Sequence, residues 1–460
     1  MKKNRNRFCI LVIIVLNGFF LKGQDILFSM PEESAEHEGT WIQWPHNYLY
    51  GPWYIEDVTP TFVDMTNYLQ AGEMVHIIAY DSTAVSAIVS VLNDADIPLT
   101  NIDFFIHQTD DVWSRDNGPM FVYDQEDQLT ILDWGFNGWG EDTPYSLCDV
   151  IPEKISGDIG LPMVDLSAVV LEGGAVEHDG RGTLMATRSS ITHPSRNPNL
   201  TEQQIEDTLS TYMGIGKFIW LDGIYGLEIT DMHIDGFVKF ANDTTILTMN
   251  NADLKYWDLS DADIEVIYNA TDIDNDPYEI VTVPLTKNNV ITTYGDNLGY
   301  KGSYCNYYIG NEVVLVPTYN DPNDGIALDI IQALYPNRTT YGIDVRNLYA
   351  YGGMIHCITQ QQPVSLISTE STNQNNSALQ SISNYPNPAK EQTTIELDLG
   401  AQVQGLLEIT NALGEIMYSK ALDAKMMELK INTSSFEPGI YFYYLKIDGG
   451  VILGNKLIIH

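Results

Sequence analysis

EVVLVPTYNDPNDGIALDIIQALYP, residues 312–336, contains both kinds of regular structure that the first part of this chain uses. Its opening run, EVVLVP (312–317), is apolar and rich in β-branched residues, which predicts a short buried strand. After several turn-forming residues, DGIALDIIQALYP (324–336) has apolar residues at the spacing of one helix face. One strand followed by one helix therefore forms a unit here, and the same order recurs along the chain.

The same alternation continues on the N-terminal side of this segment. VHIIAY (75–80) and AVVLEGG (168–174) are further short apolar runs, whereas TEQQIEDTLSTYMG (201–214) has the periodicity of a helix. Strands that alternate with helices predict an α/β domain, which we place at residues 25–368. No internal repeat is visible by inspection, although strongly diverged repeats would escape it.

The composition changes once, close to residue 369. Residues 369–380 are polar and almost free of aromatic side chains, which is typical of a linker. In residues 381–460, six short alternating runs predict strands of a small β-sandwich: TTIELDL, GLLEITN, EIMYSKAL, MELKINT, GIYFYYLKI and NKLIIH. A carbohydrate-binding sandwich is one alternative for this domain.

The N-terminus and the net charge restrict location and partners. Residues 1–24 combine a basic start with an apolar stretch of about a dozen residues, which is short for a membrane span and predicts a cleaved secretory signal. No later segment has the length and apolarity of a span. With 23 basic and 62 acidic residues the formal charge is −39, which disfavours nucleic acid and anionic membranes. An acidic surface that keeps a secreted protein soluble is the plainest reading, and cationic partners remain possible.

Three cysteines remain beyond the signal segment: Cys148, Cys305 and Cys357. An odd number argues against a disulfide framework, and without a CxxC pair a structural zinc site is not expected. Cys357 follows His356 in YGGMIHCITQQQP (351–363), and LYAYGG (348–353), just before the thiol, predicts a strand entering a glycine turn. Neighbours on an extended chain point to opposite faces, so a base for Cys357 would have to come from elsewhere. A buried structural thiol is the alternative.

Three distant segments carry side chains suited to that chemistry. MHIDGFVKF (232–240) alternates like a strand, so His233 and Asp235 would share one face. DDVWSRDNGPMFV (110–122) places Trp113 and Asp116 in a charged loop, and loops on rigid scaffolds often carry function. Glu172 precedes two glycines that would allow close approach of a ligand. Each of these features alone is more often structural. The acidic run at Asp272, Asp274 and Asp276 lacks the glycine and distal glutamate of a calcium loop.

Taken together, eight segments in order resemble the agmatine deiminase and bacterial peptidyl-arginine deiminase family of the guanidino-group-modifying superfamily. They are MPEESAEHEGTWIQWPHN, DVWSRDNGP, LDWGFNGWG, LEGGAVEHDGRGTL, THPSRNPNLTEQQIE, HIDGFVKF, SYCNYYIGNEVVLVPTYNDPNDGIAL and GGMIHCITQQQP. The resemblance implies a five-bladed α/β propeller, the pentein fold. It also implies site roles: Cys357 as nucleophile, His233 as acid and base, Asp116 and Asp235 as guanidinium-binding carboxylates, Asn306 as a further active-site residue, and Trp113 and Glu172 as substrate-pocket residues.

The residue chemistry agrees with this resemblance. A guanidinium is planar and always charged, and paired carboxylates can accept hydrogen bonds from its fork of donors. A thiol hydrolase of this type needs no metal or cofactor. We expect agmatine or a similar amine-ended guanidine as substrate, because Glu141 and Asp142 stand where peptidyl-arginine members carry arginines. Peptidyl arginine, an amidinotransferase reaction and a silent surface-binding protein are the alternatives.

The C-terminal region has a resemblance of its own. SISNYPNPAKEQTTIELDL, ALGEIMYSKAL, FEPGIYFYYLKIDGG and the final KLIIH are similar to the sorting domain of Bacteroidetes-type secretion. The resemblance implies recognition by a secretion machinery and a mature protein that is secreted or attached to the outer cell surface.

Overall fold

The structure is a computed structural model that describes residues 27–48, 51–366, 381–411, 416–436, 438–447 and 450–459. The predicted signal peptide (1–24) and the predicted linker (369–380) lie outside the described residues.

Short strands and helices alternate through the described part of residues 27–366, as the sequence predicts. The strands are β1 (Phe28–Ser29), β2 (His37–Gln43), β3 (Met74–Ala79), β4 (Ile102–Ile106), β5 (Met120–Asp124), β6 (Leu129–Gly135), β7 (Met163–Val170), β8 (Val176–His178), β9 (Thr183–Thr187), β10 (Lys217–Leu221), β11 (Val238–Asn242), β12 (Thr245–Met249), β13 (Glu279–Val283), β14 (Tyr308–Ile309), β15 (Val313–Thr318), β16 (Thr339–Asp344) and β17 (Gln360–Pro363). The helices are α1 (Pro52–Leu69), α2 (Ser82–Asp94), α3 (Ser114–Asn117), α4 (Gly138–Glu141), α5 (Ile151–Ile159), α6 (Arg188–Ile191), α7 (Glu202–Met213), α8 (Asn251–Tyr256), α9 (Asp261–Tyr268), α10 (Asp324–Leu334) and α11 (Arg346–Ala350).

These strands form five separate sheets within the described residues of this region. The strand orders are β1-β5-β6-β7, β8-β9-β10, β11-β12-β13, β14-β15-β16 and β17-β2-β3-β4. In the first four sheets an antiparallel hairpin is followed by helices and then by a parallel strand. Parallel neighbours need a crossover connection, which explains why helices stand at these positions. The chain thus repeats one β-β-α-β unit that the sequence does not reveal by inspection.

The fifth sheet joins the two ends of this region. β17 pairs antiparallel with β2, and β2 then pairs in parallel with β3. The indole Nε1 of Trp41 in β2 donates to Oε1 of Gln362 in β17 over 2.8 Å, and both side chains are buried. Because β17 begins three residues after Cys357, this pairing fixes the segment that carries the thiol.

The helix that begins at Glu202 shows how local sequence sets an element. Thr201 caps it by accepting from the backbone of Gln204, whose side chain accepts from the backbone N–H of Thr201 in return. The helix ends at Gly214, whose φ of +75° is the left-handed conformation that favours glycine. Ile205, Leu209 and Met213 form its buried face, so the predicted helix over 201–214 is confirmed.

Two local predictions are wrong. LYAYGG was expected to be a strand, but Arg346–Ala350 is a helical turn that buries Leu348 and ends before Gly352, with φ of +108°. In MHIDGFVKF the strand begins only at Val238, because Ile234–Gly236 forms a 3₁₀ turn. In both places hydrogen bonds within the turn override the β propensity of the side chains.

The C-terminal region consists of strands in the part that the structure describes. They are β18 (Ser381–Tyr385), β19 (Gln392–Asn411), β20 (Ile416–Asn432), β21 (Gly439–Ile447) and β22 (Gly450–Ile459). Two of them are long: β19 contains two runs predicted as separate, TTIELDL (393–399) and GLLEITN (405–411), and its pairing with β20 shifts register between Asp398 and Val403. Leu407, Tyr443 and Leu457 belong to a compact apolar core here. Among the described residues, every helix falls short of the length and hydropathy of a membrane span.

Candidate active site

A cavity of about 510 Å³ brings distant parts of the chain together. The side chains that line it belong to four segments, 227–237, 256–258, 300–306 and 349–357, although not every residue of these segments contributes. Four of the side chains predicted for the site line it: His233, Asp235, Asn306 and Cys357. The thiol and the imidazole, which are far apart in sequence, therefore face the same enclosed space.

Cys357 lies in a single 3₁₀ turn, His356–Ile358. Its Sγ is 3.4 Å from Oδ1 of Asn306, and the same oxygen accepts from the backbone N–H of His356 over 3.0 Å. Asn306 thus holds both the turn and the thiol. The prediction that His356 and Cys357 point to different sides is confirmed, because Cys357 lines the cavity whereas His356 does not. The cause is the 3₁₀ turn rather than an extended strand.

Three ionisable side chains converge on one glycine. A Cβ placed on Gly174 would lie 2.6 Å from Nδ1 of His233, 2.9 Å from Oδ1 of Asp116 and 3.1 Å from Oδ2 of Asp235. The backbone N–H of Gly174 donates to Oδ1 of Asp116 over 3.0 Å. A side chain at this position would displace these groups, so Gly174 allows a histidine and two carboxylates to share a small volume.

His233 is held between two carboxylates. Its Nε2 is 2.9 Å from Oε2 of Glu172, and its Nδ1 is 3.6 Å from Oδ1 of Asp116. Burial alone lowers the pKa of His233, but the charge of Asp116 and the hydrogen bond and charge of Glu172 outweigh it and raise this pKa to about 9. The imidazole is therefore a cation at neutral pH and can donate a proton.

Glu172 and Trp113, predicted as pocket residues, stand one layer behind the cavity wall. The carboxylate of Glu172 is fully buried and is occupied by His233 and by Nε of Arg196, at 2.7 Å. The ring of Trp113 lies against Gly353, where a Cβ would come within 2.2 Å of the indole. Neither side chain is among those that line the cavity. Glu172 instead contacts His233, which does line it, whereas Trp113 packs against Gly353, between the lining residues Gly352 and Met354.

Asp235 has a partner that the sequence interpretation excluded. Its Oδ2 is 2.8 Å from Nδ1 of His356, and Nε2 of His356 is 2.7 Å from Oε2 of Glu33. Burial raises the pKa of Asp235, but the hydrogen bond and charge of His356 overcome this effect, so the pKa is lowered. The expectation that only His233 stands beside this aspartate is wrong, because the 3₁₀ turns rotate His356 towards it.

Asp116 lacks such a close cation. Its Oδ2 accepts from the indole Nε1 of Trp139 over 2.9 Å, while the nearest imidazole atom, on His233, is 3.6 Å away. Burial raises the pKa of Asp116; the charges of Glu172 and Asp235 add to this rise, and His233 opposes it. Trp139 was not singled out from the sequence, although the quoted segment LDWGFNGWG contains it. Arg196 and Glu33 were likewise missed inside quoted segments.

The thiol of Cys357 is unfavourably placed for ionisation in the free protein. Burial and then the negative charges of Asp235 and Asp116 raise its pKa well above the usual value. A cation bound between these two carboxylates would neutralise them and lower the pKa. The site is therefore built so that a cationic ligand activates the thiol.

Two predicted acidic features lie away from the cavity. Glu141 and Asp142 are exposed and are not among its lining residues, so this cavity gives no support to the substrate preference expected from them. Asp272 accepts hydrogen bonds from the backbone N–H groups of Asp274 and Asp276 in its own loop. Within the described residues, no three His, Cys, Asp or Glu side chains are grouped so that they could hold a metal ion.

A thiol, an imidazolium and a carboxylate line one cavity, and a second carboxylate stands beside the imidazolium. This set defines the class of cysteine enzyme that acts on a cationic group. Residues 29–363 match the family of Porphyromonas-type peptidyl-arginine deiminases, and the chain belongs to that family. Residues 383–460 match the secretion system C-terminal sorting domain.

Individual relatives give the same assignment. A putative agmatine deiminase of Selenomonas ruminantium is 31% identical in an alignment of 361 residues that covers 73% of this chain and 96% of that protein. Another from Listeria monocytogenes is 33% identical over 364 residues, with the same shares of both chains covered. Among solved structures, the agmatine deiminase of Enterococcus faecalis aligns with a TM-score of 0.66 and 25% identity over 74% of this chain and 96% of that one. A putative arginine deiminase from Porphyromonas gingivalis aligns with a TM-score of 0.64 and 29% identity over 74% and 99%.

The electrostatics of the thiol can be tested without a substrate. In Asp235→Asn the amide oxygen can still accept from His356, but a negative charge near Cys357 is lost, so the thiol pKa should fall. We expect alkylation of Cys357 by iodoacetamide at pH 8 to be about tenfold faster than in the wild type, as measured by mass spectrometry of the modified peptide. Asp258→Asn, at the outer part of the cavity, is the matched control and should leave the rate unchanged. An equal or slower rate in Asp235→Asn would contradict the electrostatic account.

Proposed function

We propose that this protein is a secreted deiminase that hydrolyses the guanidinium group of agmatine or a similar amine-ended guanidine to a ureido product and ammonia. The observation that carries this proposal is the cavity lined by Cys357, His233 and Asp235, with Asp116 next to the protonated His233. The names of the relatives from Selenomonas, Listeria and Enterococcus support agmatine as the substrate.

Substrate binding follows from charge and shape. A guanidinium has five donors in one plane, and two carboxylates can accept them from different sides. Asp116 and Asp235 both approach Gly174, so a guanidinium that enters from the cavity would meet both carboxylates. Its positive charge would offset the two charges that suppress ionisation of Cys357. Binding and activation of the nucleophile are then one event.

The reaction proceeds through a covalent intermediate. The thiolate of Cys357 attacks the central guanidinium carbon and forms a C–S bond; His233 gives its proton to the departing amino group, and the C–N bond breaks to release ammonia. Neutral His233 then takes a proton from water as the hydroxide attacks the same carbon. Collapse of this second tetrahedral intermediate breaks the C–S bond, regenerates the thiolate and leaves the ureido product. Positioned proton transfer of this kind contributes about 10²–10⁴-fold to the rate.

The scaffold supports the same assignment. We infer that the five sheets of residues 25–368 are the five blades of an α/β propeller, because one β-β-α-β unit recurs and the fifth sheet is completed by β17 and β2 from the two ends. In such an arrangement the segments between blades meet at one centre. His233, Asp235 and Cys357 stand in turns of this kind, next to strands that begin blades.

The test of the activity uses the nucleophile. Cys357→Ala removes the atom that forms the C–S bond, so we expect ammonia release from agmatine to fall by at least about 10⁴-fold while the protein remains folded. Cys148→Ala, which changes a buried thiol outside the cavity, is the matched control and should retain turnover. Ammonia release is measured with a coupled assay, and the acid-quenched wild type should show the covalent adduct by mass spectrometry.

The alternative functions give different results in the same assay. A wild-type protein that releases no ammonia from agmatine, arginine or arginine-containing peptides would be a binding protein rather than an enzyme. Consumption of an added amine acceptor would indicate amidinotransferase chemistry. Full activity of Cys357→Ala would exclude the covalent mechanism.

Substrate choice depends on charges farther out in the cavity. Asp258 and Glu228 are acidic and Lys301 is basic among its outer lining residues. The carboxylate of Glu228 accepts from Thr230 and from the backbone N–H of Met232 in its own loop. The excess of acidic groups favours an ammonium over a carboxylate at the far end of the substrate. The family description and Lys301 support the second candidate, arginine in a peptide, which would become citrulline.

A charge reversal at the outer cavity separates the two substrates. In Asp258→Lys we expect the ratio of kcat/KM for agmatine to that for a peptide ending in arginine to fall about two- to fivefold, a modest change because solvent screens this position. Glu141→Arg places a charge of the same sign outside the cavity and should leave the ratio unaltered. A wild type that prefers the peptide would overturn the assignment to agmatine, and a shift with Glu141→Arg alone would move the substrate's far end to that segment.

We infer secretion from the two ends of the chain. A signal peptide at 1–24 would start export, and a sorting domain at 381–460 would direct the protein to the secretion machinery and the outer surface of a Bacteroidetes-type bacterium; the match of residues 383–460 supports the second part. Deletion of 381–460 should leave the activity of the purified enzyme intact and abolish surface exposure in the native cell, measured with antibodies on whole cells. Surface exposure of the truncated chain would refute the role of this domain.

A further inference from the structure

A fully buried arginine stands behind the acid and base of the site. Arg196 lies in the loop between α6 and α7, and its guanidinium has no exposed surface. Nε donates to Oε1 of Glu172 over 2.7 Å, and one terminal nitrogen, Nη1, donates to Oδ2 of Asp231 over 2.7 Å. Since Glu172 uses its other oxygen for His233, the cation is one residue away from the imidazole.

The second carboxylate, Asp231, lies between the cavity-lining residues Thr230 and Met232 in the chain. Its Oδ1 accepts from the backbone N–H of Gly226 over 2.6 Å, which closes a loop whose residues 227–230 line the cavity. Asp231 and Met232 have φ values of +59° and +68°, which non-glycine residues rarely adopt, and His233 follows directly. Such backbone persists only where surrounding contacts hold it, and the bond from Arg196 is one of these contacts.

We propose that Arg196 is a positioning residue that couples the cavity loop 226–231 to the orientation and charge of His233 through Glu172. This inference rests on the proposed function, in which His233 delivers the proton to the departing ammonia. Arg196 fixes which oxygen of Glu172 faces the imidazole. It also offsets part of the negative charge that Glu172 presents there.

The surroundings of Arg196 require its planar fork. A Cβ on Gly140 would lie 3.0 Å from Nη1 of Arg196 and 3.1 Å from Cβ of Ser195. The backbone of Gly140, in α4, therefore packs directly on the guanidinium. The preceding Trp139 is the residue that holds Asp116. A lysine carries all its donors on one nitrogen, so it cannot place donors at the separate positions of Nε and Nη1. The position therefore depends on shape as well as on charge.

The sign of the electrostatic effect can be stated. Asp116, Glu172 and Asp235 are the carboxylates that raise the pKa of His233, and this pKa is about 9. Arg196 is a cation next to one of them, and a nearby cation disfavours the protonated imidazole. Removing the charge in Arg196→Met should raise the pKa of His233 further, which weakens it as an acid. Removing the opposite charge in Glu172→Gln should lower the same pKa.

The test combines kinetics with a titration that needs no substrate. In Arg196→Lys and Arg196→Met we expect kcat for agmatine to fall at least about tenfold, with a smaller change in KM. In ¹³C-histidine-labelled enzyme, the ring resonances of His233 should titrate at a higher pH in Arg196→Met than in the wild type, and at a lower pH in Glu172→Gln. Arg188→Met is the matched control, since Arg188 pairs with Glu202 and Asp222 at the surface, and it should change neither readout.

The variant Asp231→Asn distinguishes coupling between the cavity loop and His233 from a general loss of protein stability. It weakens the bond from Arg196 to the loop and keeps the bond to Glu172, so a loss of kcat with an unchanged unfolding temperature supports the coupling. A wild-type kcat in both Asp231→Asn and Arg196→Lys, or a His233 titration that is the same in wild type and folded Arg196→Met, would overturn the inference. If the wild type does not hydrolyse guanidines, the proposed function fails, and the titration still decides whether Arg196 controls His233.

Discussion

The whole site depends on the burial of three carboxylates within a few ångströms of one another. Asp116 and Asp235 approach the same glycine, and Glu172 lies on the far side of His233. Buried like charges raise one another's pKa values unless cations compensate them. Glu172 has Arg196 at 2.7 Å and Asp235 has His356 at 2.8 Å, whereas Asp116 has only N–H donors at hydrogen-bonding distance. In the proposed reaction a cationic substrate supplies the missing charge, so the electrostatic imbalance of the free enzyme favours cationic substrates over neutral and anionic ones.

A second cluster of buried charges connects the carboxylates of the site to the surrounding scaffold. Glu33, from the first residues of the domain, contacts Nε2 of His356 at 2.7 Å and Nζ of Lys239 at 2.6 Å, and Lys239 also reaches Glu177. Breaking a buried ion pair by removing one partner typically costs about 3–5 kcal/mol, because the remaining charge is left uncompensated. The two chain ends that pair in the fifth sheet therefore also supply Glu33 and His356, which hold the proposed substrate-binding carboxylate Asp235.

Sequence predicts the elements of this protein better than it predicts their contacts. The helix after Thr201 could be read because its cap, its apolar face and its terminal glycine are all local signals. The 3₁₀ turn after His233 could not, since its cause is the backbone of Asp231 and the tertiary contacts that hold it. The resemblance likewise named four residues that line the cavity, but it did not identify the buried side chains that contact them from behind. Glu172 looked like a pocket residue, and only its buried bond to Arg196 places it behind His233.

The groups that discriminate between substrates must lie farther from the guanidinium than the catalytic groups do. The chemistry at the guanidinium is the same for agmatine and for an arginine side chain, so the inner residues cannot distinguish them. The net charge of −39 attracts both cations from a distance, but at physiological ionic strength such attraction is largely screened beyond about 8 Å. Only groups within that distance of the far end of the substrate, such as Asp258 and Lys301, can sense whether it ends in an ammonium or a carboxylate. Their exposure keeps each contribution small, and specificity in this family can therefore change through a few outer residues while Cys357, His233 and the paired carboxylates stay the same.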